Sequence, residues 1–224
     1  MKEKIENVNT IVTLENSKEI NGIHFTIKHS GKMQGMTSLS TSTLCNPNCA
    51  RNSKIKGSIC EKCYARKHMK YRTTLIDPLS ENTKILTSSI IPFENLPIIN
   101  RLYFRFEAFG DIINETQVIN YFNICKKNPG VNFALWTKNP GVIDNAIYHG
   151  NKKPYNLNII YSSLFINQLE NINKYDFIDK IFTVYDSETI EKENIKINCG
   201  SKSCLDCLKC YTKNNETNIN ERLK

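Results

Sequence analysis

The sequence predicts an α/β fold: a partial (β/α)6 barrel with a short β leader and a C-terminal cysteine-rich segment. Two observations carry this prediction. Six apolar segments alternate with helical ones, and those between residues 102 and 185 recur about every 25–30 residues, the rhythm of a parallel sheet. Several of them are apolar throughout, as expected of strands covered on both faces. An open, doubly wound sheet would give the same pattern.

Four parts of the chain differ in pattern: a β leader at 1–35, a core at 36–198 with a cysteine loop at 45–63, a cysteine segment at 199–210 and a flexible tail at 211–224. In the leader, the segments NTIVTLE and GIHFTIKHS alternate between apolar and polar residues, and Asn21-Gly22 is a turn signal between them. The tail is polar, so we expect it to be solvated.

The predicted core strands end in polar residues. They are GMTSLSTST, RLYFRFEAFGD, VNFALWTKN, LNIIYSSL, IFTVYDS and NIKINC, which end at Cys45, Gly110-Asp111, Thr137-Lys138, Ser162-Ser163, Asp186-Ser187 and Cys199. Because the carboxyl ends of parallel strands meet at one edge of a sheet, we expect these residues and both groups of cysteines at the same edge. Metal centres there would be about 10–20 Å apart, the width of a small barrel mouth.

Apolar residues at helical spacing predict the segments between the strands. Helices are expected around 62–74 and 80–90, after Asp111 with Val118, Tyr121, Phe122 and Cys125 on one stripe, after Lys138 with Asn139 and Gly150 at its ends, and after Ser163 with Phe165, Leu169 and Ile172. Cys125 is therefore expected to be a core residue.

Composition favours a protein of the cytoplasm. No apolar run approaches the length of about 20 residues that spans a bilayer, so no membrane partner is expected. The start, MKEKIENVNT, lacks the apolar region of a secretory signal. Eight of the nine cysteines lie in two close groups, and in a reducing compartment such groups bind metal more often than they form disulfides.

The net charge of +8 suggests an anionic partner such as nucleic acid. Thiolates at two metal sites would lower this charge to about +4, so nucleic acid is not the favoured partner. The basic segments KIKG and RKHMKYR lie beside the first cysteines. We expect them either to form a solvated face or to attract a phosphate or nucleic acid.

The second cysteine group consists of Cys199, Cys204, Cys207 and Cys210, with spacing C-x4-C-x2-C-x2-C. Repeated C-x2-C steps favour a [4Fe-4S] cluster. Zinc remains the alternative, although zinc usually takes two pairs of ligands from separate places.

The first cysteine group consists of Cys45, Cys49, Cys60 and Cys63, with spacing C-x3-C, ten residues, and C-x2-C. As two knuckles, these pairs would suit zinc. Their spacing alone leaves both zinc and a second [4Fe-4S] cluster open.

Arg105 and Glu107 lie two residues apart on a predicted strand, so their side chains should share one face. That face is either the lumen of the barrel or its surface, and inside the lumen such a charged pair would serve each other or a ligand. We therefore count both residues as candidate contacts of a cofactor.

The loop CNPNC followed by CEKCYA resembles the cluster loop of radical S-adenosylmethionine enzymes, with ten residues inserted. The resemblance implies a [4Fe-4S] cluster on Cys45, Cys49 and Cys63, with Cys60 outside and one iron open for S-adenosylmethionine. It also implies contacts of that cofactor with the strand ends Gly110, Asp111, Thr137, Lys138, Ser162 and Ser163. If all four thiols bind iron, the radical chemistry fails.

More closely, residues 45–210 resemble the phage gene-product-eighty-eight family. The matching motifs, in order, are CYA at 63–65, RFEAFGD at 105–111, FALWTK at 133–138 and the cysteines at 199–210.

The expected function is thus that of an iron–sulfur protein related to radical S-adenosylmethionine enzymes. Such an enzyme needs an electron donor, and its substrate cannot be read from the sequence. The alternatives are a zinc-stapled, basic nucleic-acid-binding protein and an iron–sulfur protein with a structural or electron-transfer role.

Overall fold

The fold was described from a computed structural model, which covers residues 19–223. Its centre is an open, eight-stranded sheet in which the strands lie in chain order. The strands are β1 (Glu19–Ile20), β2 (Ile23–Thr26), β3 (Thr37–Leu39), β4 (Tyr103–Phe106), β5 (Asn132–Thr137), β6 (Leu157–Ser162), β7 (Lys180–Tyr185) and β8 (Asn218–Arg222). Strands β1 to β3 pair antiparallel and β3 to β8 pair parallel. The α/β class is confirmed.

Seven α-helices and three short 3-10 helices join these strands within the described residues. The α-helices are α1 (Pro47–Asn52), α2 (Tyr64–Tyr71), α3 (Ile76–Ser88), α4 (Glu115–Lys127), α5 (Pro140–Tyr148), α6 (Ser187–Lys192) and α7 (Cys204–Cys207), and the 3-10 helices are Gly31–Met33, Thr73–Leu75 and Phe93–Asn95. None of the helices in residues 19–223 has both the length and the apolar character of a membrane span.

The hairpin between β1 and β2 forms where the sequence predicts a turn. Asn21 and Gly22 both have positive φ, 51° and 78°, as a two-residue type I′ turn requires. The first leader segment, NTIVTLE, lies outside the described residues.

Alternation along the parallel strands gives the sheet two faces. On β4, Phe104 and Phe106 point into the main core, which α3, α4 and α5 cover. Tyr103 belongs to a smaller apolar cluster on the opposite face, together with Ala134 and Ile160. We call this opposite face the cysteine face, because the segment with the second cysteine group packs on it.

The end of the chain differs from the prediction. Residues 218–222, expected in a solvated tail, form β8 and pair in parallel with β7. The predicted strand NIKINC has no strand conformation, and instead the backbone N–H of Cys199 donates to Asn220. Ile219 is the only apolar residue among the five of β8 and is buried, so the segment has too little apolar alternation to be recognised as a strand.

The helix expected after Ser163 is also absent. Residues 163–179 follow an irregular path, and Phe165 forms an isolated bridge with Ser58 of the cysteine loop. Asn167 has a positive φ of 60°, which asparagine tolerates better than most residues and which interrupts a helix.

The strand β8 can be tested with Ile219→Ala. Removing a buried isoleucine side chain should lower the free energy of unfolding by about 2–5 kcal/mol. Leu223→Ala, one residue past the strand and 45% exposed, should change it by less than about 0.5 kcal/mol. Urea unfolding measures both. Equal, small effects would mean that the chain end is a solvated tail.

Candidate functional site

The segment 45–72, which we call the cap, crosses the carboxyl ends of the parallel strands. Its start is fixed by Asn46, whose side-chain oxygen accepts hydrogen bonds from the backbone N–H groups of Asn48 (2.8 Å) and Cys49 (3.2 Å) and so begins α1. The Asn46 side-chain nitrogen donates to the carbonyl of Asp111 at 2.8 Å. One buried amide therefore ties the cap to the loop that follows β4.

The rest of the cap is anchored at two further strand ends. The hydroxyl of Tyr64 donates to the carbonyl of Ala108, just past β4. The backbone N–H of Ile59 donates to Leu164, just past β6, at 2.9 Å. The cap thus spans from the end of β3 to the end of β6, and this brings the first cysteine group to the edge of the sheet, as the sequence predicts.

Three of the four thiols in the first group lie close together. Burial raises the pKa of Cys49, and the nearby charges of Asp111, Cys63 and Cys60 raise it further. Burial also raises the pKa of Cys60, against the opposing charge of Lys138. The three thiols of Cys49, Cys60 and Cys63 therefore share one environment beside two polar strand ends.

Cys45 is more exposed than these three thiols. It is exposed, and its sulfur is 3.6 Å from the hydroxyl oxygen of Ser80 on α3. The resemblance implies another set, in which Cys60 stays outside and Cys45 takes part. The path of the ten-residue insertion decides which thiols meet, and the spacing of the cysteines does not reveal that path.

Asp111 joins the ends of two strands. One carboxylate oxygen accepts from the backbone of Ile112 (2.8 Å) and the hydroxyl of Thr137 (2.6 Å), and the other accepts from the backbone of Lys138 (2.9 Å). Burial raises the pKa of Asp111, while the hydrogen bonds from Thr137 and Lys138 oppose this. The carboxylate is largely satisfied by the protein itself, so its first role is to hold the end of β5 against the loop after β4.

The predicted contacts at the end of β6 separate into two kinds. The ammonium group of Lys138 donates to the hydroxyl of Ser162, which is half-buried at the edge. Ser163 is buried, and its hydroxyl is 2.9 Å from that of Thr183 on β7. Lys138 and Ser162 are therefore available to a ligand at the edge, whereas Ser163 belongs to the packing between strands.

Glu107 does not share a face with Arg105, contrary to the prediction. Strand β4 ends at Phe106, and Glu107 has a left-handed φ of 55°, which turns its side chain toward α4. Its carboxylate accepts hydrogen bonds from the hydroxyls of Thr41 (3.0 Å) and Tyr121 (2.6 Å) and from the side chain of Gln117 (2.7 Å).

Gly110 has no room for a side chain. Its φ is 77°, and a Cβ atom would stand 2.5 Å from the carbonyl oxygen of Thr41 and 2.7 Å from the carboxylate of Glu107. Close approach of backbone to a buried carboxylate thus requires glycine at this position. Gly110 shapes the loop that carries Asp111, and its own role is structural.

The second cysteine group lies on the cysteine face. Ser203 begins α7 by accepting hydrogen bonds from the backbone of Leu205 and Asp206, and Leu208 ends it with a left-handed φ of 52°. Burial and the charges of the other three cysteines raise the pKa of Cys210 to about 12, while Arg105 opposes them, so the four thiols of this group lie within reach of one another's charge.

The sequence predicts the second group at the carboxyl edge of the sheet, but the contacts of Cys210 and Tyr211 lie elsewhere. The side chain of Asn158, second residue of β6, donates to the carbonyl of Cys210 at 3.1 Å. The ring of Tyr211 lies 6.0 Å from that of Tyr103, the first residue of β4. The Cys210–Tyr211 end of the group therefore lies over the amino-terminal ends of β4 and β6, and the strand that was expected to end at Cys199 does not form.

Arg105 lies beside this second group. Its guanidinium is 3.8 Å from the centroid of the Trp136 ring, and one terminal nitrogen is 3.4 Å from the sulfur of Met33. Its Nε atom is buried without a hydrogen-bond partner among the described residues, and so is the hydroxyl of Tyr211. Nearby, the Lys32 ammonium donates to the carbonyl of Cys199 at 2.8 Å. The same ammonium nitrogen lies 3.6 Å from the Cys199 sulfur.

Within residues 19–223, no group of three or more His, Cys, Asp or Glu side chains has an arrangement that could hold a metal ion. Charges of neighbouring cysteines nevertheless help to raise the pKa of Cys49 and Cys60 in the first group, and of Cys199, Cys204 and Cys210 in the second.

Sequence reasoning missed Asn46, Tyr64, Lys32 and Tyr211. A local signal exists for Asn46, since an asparagine before a proline commonly begins a helix. For Lys32 and Tyr211 no local signal exists, because their partners are distant in the sequence.

Fold and site together define an α/β protein with a cysteine-bearing cap at the carboxyl edge of its sheet and a second cysteine group on one face. The family model for Gene product 88 matches residues 6–221. The chain belongs to this family, the phage family whose ordered motifs its sequence resembles. A comparison with curated proteins found no match, and a comparison with solved structures found none either.

The buried Glu107 makes stability depend on pH. Burial raises its pKa from 4.5 to about 8, although Tyr121 and Thr41 donate to it. The folded state then holds this proton more tightly than the unfolded state does. Its stabilising contribution is complete below pH 4.5 and is lost as pH rises through about 8, with a slope of up to about 1.4 kcal/mol per pH unit.

Glu107→Gln should remove this part of the pH dependence, because glutamine does not titrate. The exposed Glu191→Gln on α6 serves as the control and should keep the wild-type slope. Urea unfolding at a series of pH values measures both. Parallel profiles for wild type and Glu107→Gln would contradict a raised pKa at this position.

Proposed function

We propose that the protein is an iron–sulfur protein with two [4Fe-4S] clusters, one on the cysteine face and one under the cap. The observation that carries this proposal is the second cysteine group, whose thiols are near enough to raise the pKa of Cys210 and lie beside a buried arginine nitrogen without a partner. Thiolate sulfur is the donor that iron–sulfur clusters take.

The surroundings of the second group fit an anionic cluster. Burying an arginine nitrogen and a tyrosine hydroxyl without partners costs free energy, so such atoms usually mark a missing partner. Arg105 and Tyr211 carry these atoms. The charge of Arg105 opposes the rise in the pKa of Cys204 and Cys210, and the charges of these two cysteines help to raise the pKa of Tyr211. Cluster thiolates and sulfides would accept hydrogen bonds from both donors.

Positive charge from Arg105 would also stabilise such a cluster, and Lys32 adds a second cation, which it shares with Glu221 at 2.8 Å. Arg105 opposes the rise in the pKa of Cys204, and Lys32 does so for both Cys204 and Cys199. The contact with the Trp136 ring holds the Arg105 guanidinium in place, and none of the ion pairs among residues 19–223 involves Arg105. The cation therefore remains free to pair with the thiolates.

The first group is the proposed site of the second cluster. Three thiols, Cys49, Cys60 and Cys63, would hold it, and the exposed Cys45 would stay outside. With three protein ligands one iron is open, which is the condition for chelating S-adenosylmethionine that the resemblance implies. When bound, the cluster would supply one electron for cleaving that cofactor, and an external electron donor would have to restore it.

The strand ends beside the first group would position the cofactor. Lys138 and Ser162 form a polar pair that could bind a carboxylate, because the ammonium group has two further protons to donate. Asp111 would keep Lys138 at the edge through its backbone N–H, and its remaining acceptor capacity would take a hydrogen bond from an ammonium group. The buried Glu107 network and Gly110 would support this loop from below.

Metal analysis of protein purified without oxygen tests the proposal. The expected preparation is brown, absorbs broadly near ~400 nm and contains about eight irons per chain. Cys207→Ala should lose about four of them and keep the first cluster. The matched control is Cys125→Ala, which removes the buried core cysteine of α4 and should keep all the iron. A colourless protein with two zincs would favour the zinc-stapled alternative and refute the proposal.

The ligands of the first cluster are tested by a second pair of variants. Cys60→Ala should lose the first cluster, whereas Cys45→Ala should keep it, because its thiol contacts Ser80 instead. In the Cys45→Ala protein, calorimetry should detect S-adenosylmethionine, with binding about ten- to a hundredfold weaker after Asp111→Ala. Loss of the cluster in both Cys45→Ala and Cys60→Ala would mean four protein ligands and a structural or electron-transfer role.

A further inference from the structure

The positive charge of the protein is concentrated in the cap. Residues 51–72 contain eight Lys and Arg and one acidic residue, so they account for +7 of the net +8. Seven of the eight are exposed: Arg51, Lys54, Lys56, Lys62, Lys67, Lys70 and Arg72. The one acidic residue, Glu61, accepts a hydrogen bond from the backbone of Gly57 at 2.9 Å. An electrostatic footprint of this kind marks a surface that attracts polyanions.

Aromatic rings are interleaved with these cations on α2. Tyr64, His68 and Tyr71 follow helical spacing and lie along one side of the helix. Tyr64 is 57% exposed and Tyr71 is 79% exposed. The rings of Tyr64 and His68 lie 6.3 Å apart, and each also contacts Phe109, at 6.1 and 6.3 Å.

The opposite side of α2 is anchored in the fold. Ala65 and Met69 are buried, and the sulfur of Met69 accepts from the hydroxyl of Thr43. Arg66 donates to the hydroxyl of Ser53 at 2.7 Å, which joins α2 to the end of α1. The rings and cations on the outer side are therefore presented on a fixed support, which lowers the entropy cost of binding.

We propose that the outer surface of the cap, formed by these seven cations with Tyr64, His68 and Tyr71, binds single-stranded nucleic acid. The cations would contact phosphates, which carries most of the affinity and makes it salt-dependent. The exposed rings would stack on bases, and only unpaired bases present a free face for stacking. This inference rests on the surface of the cap alone and holds whichever metal the cysteines bind.

Fluorescence anisotropy with a labelled oligothymidylate of about 15 nucleotides tests the inference. Tyr71→Ala should weaken binding about tenfold, because it removes one stacked ring. The matched control is Tyr148→Ala on α5, a tyrosine that is 86% exposed and lies outside the cap. It should leave the affinity unchanged.

A salt titration tests the role of the cations. The double variant Lys67→Gln and Lys70→Gln should lower the slope of log K against log salt by about 0.7 for each lysine removed. The matched double variant Lys126→Gln and Lys192→Gln removes two exposed lysines from the last turns of α4 and α6. It should keep the wild-type slope.

Four results would overturn the inference. Equal losses in the cap variants and their controls would mean general attraction of an anion to a basic protein. Duplex DNA of the same length binding as tightly as the single strand, or Tyr71→Ala without effect, would exclude stacking. Tighter binding to polyglutamate than to oligothymidylate would point to an acidic protein surface instead. Iron measured in each sample keeps these outcomes separate from those of the cluster proposal.

Discussion

The hydrogen bond between the Asn46 side chain and the carbonyl of Asp111 is the contact on which the proposed site depends. Asn46 begins α1 with its oxygen and holds the loop after β4 with its nitrogen, so one side chain fixes both partners. Asp111 extends this connection to Thr137 and Lys138 at the end of β5. If this chain of contacts broke, the thiols of the cap would no longer lie beside the polar strand ends.

This arrangement requires the burial of two carboxyl groups, which costs free energy. Glu107 and Asp111 are both buried at the end of β4, and burial raises the pKa of each. Hydrogen-bond donors from Thr41, Gln117 and Tyr121 offset part of that cost. Gly110 lets the backbone pass close to Glu107, so the loop can bring two carboxyl groups into one small region. Such a strained and polar loop is typical of a functional site.

Local patterns predicted most of the sheet and part of the site. The parallel strands β3 to β7 and the polar residues at their ends follow from apolar runs that stop at turn and cap signals. The sequence did not predict β8, because Ile219 is its only apolar residue. The prediction that Arg105 and Glu107 share one face of β4 is wrong. The left-handed conformation of Glu107 depends on the buried partners of its carboxylate, and the spacing of the residues does not reveal it.

The cysteines show where such reasoning stops. Their grouping into two sets is visible in the sequence, and the structure keeps both sets. Which thiols of the first set meet depends on the fold of the cap, whose contacts with Ala108 and Leu164 are long-range. The position of the second set depends on β8, because the backbone N–H of Cys199 donates a hydrogen bond to the carbonyl of Asn220 in that strand. Both depend on contacts between distant parts of the chain.

Anomalous diffraction at the iron absorption edge, from crystals grown without oxygen, tests the central claim most directly. We expect two iron peaks, one among Cys49, Cys60 and Cys63 under the cap, and one among Cys199, Cys204, Cys207 and Cys210 on the cysteine face. Peaks at the zinc edge in these two places, with none at the iron edge, would contradict the account.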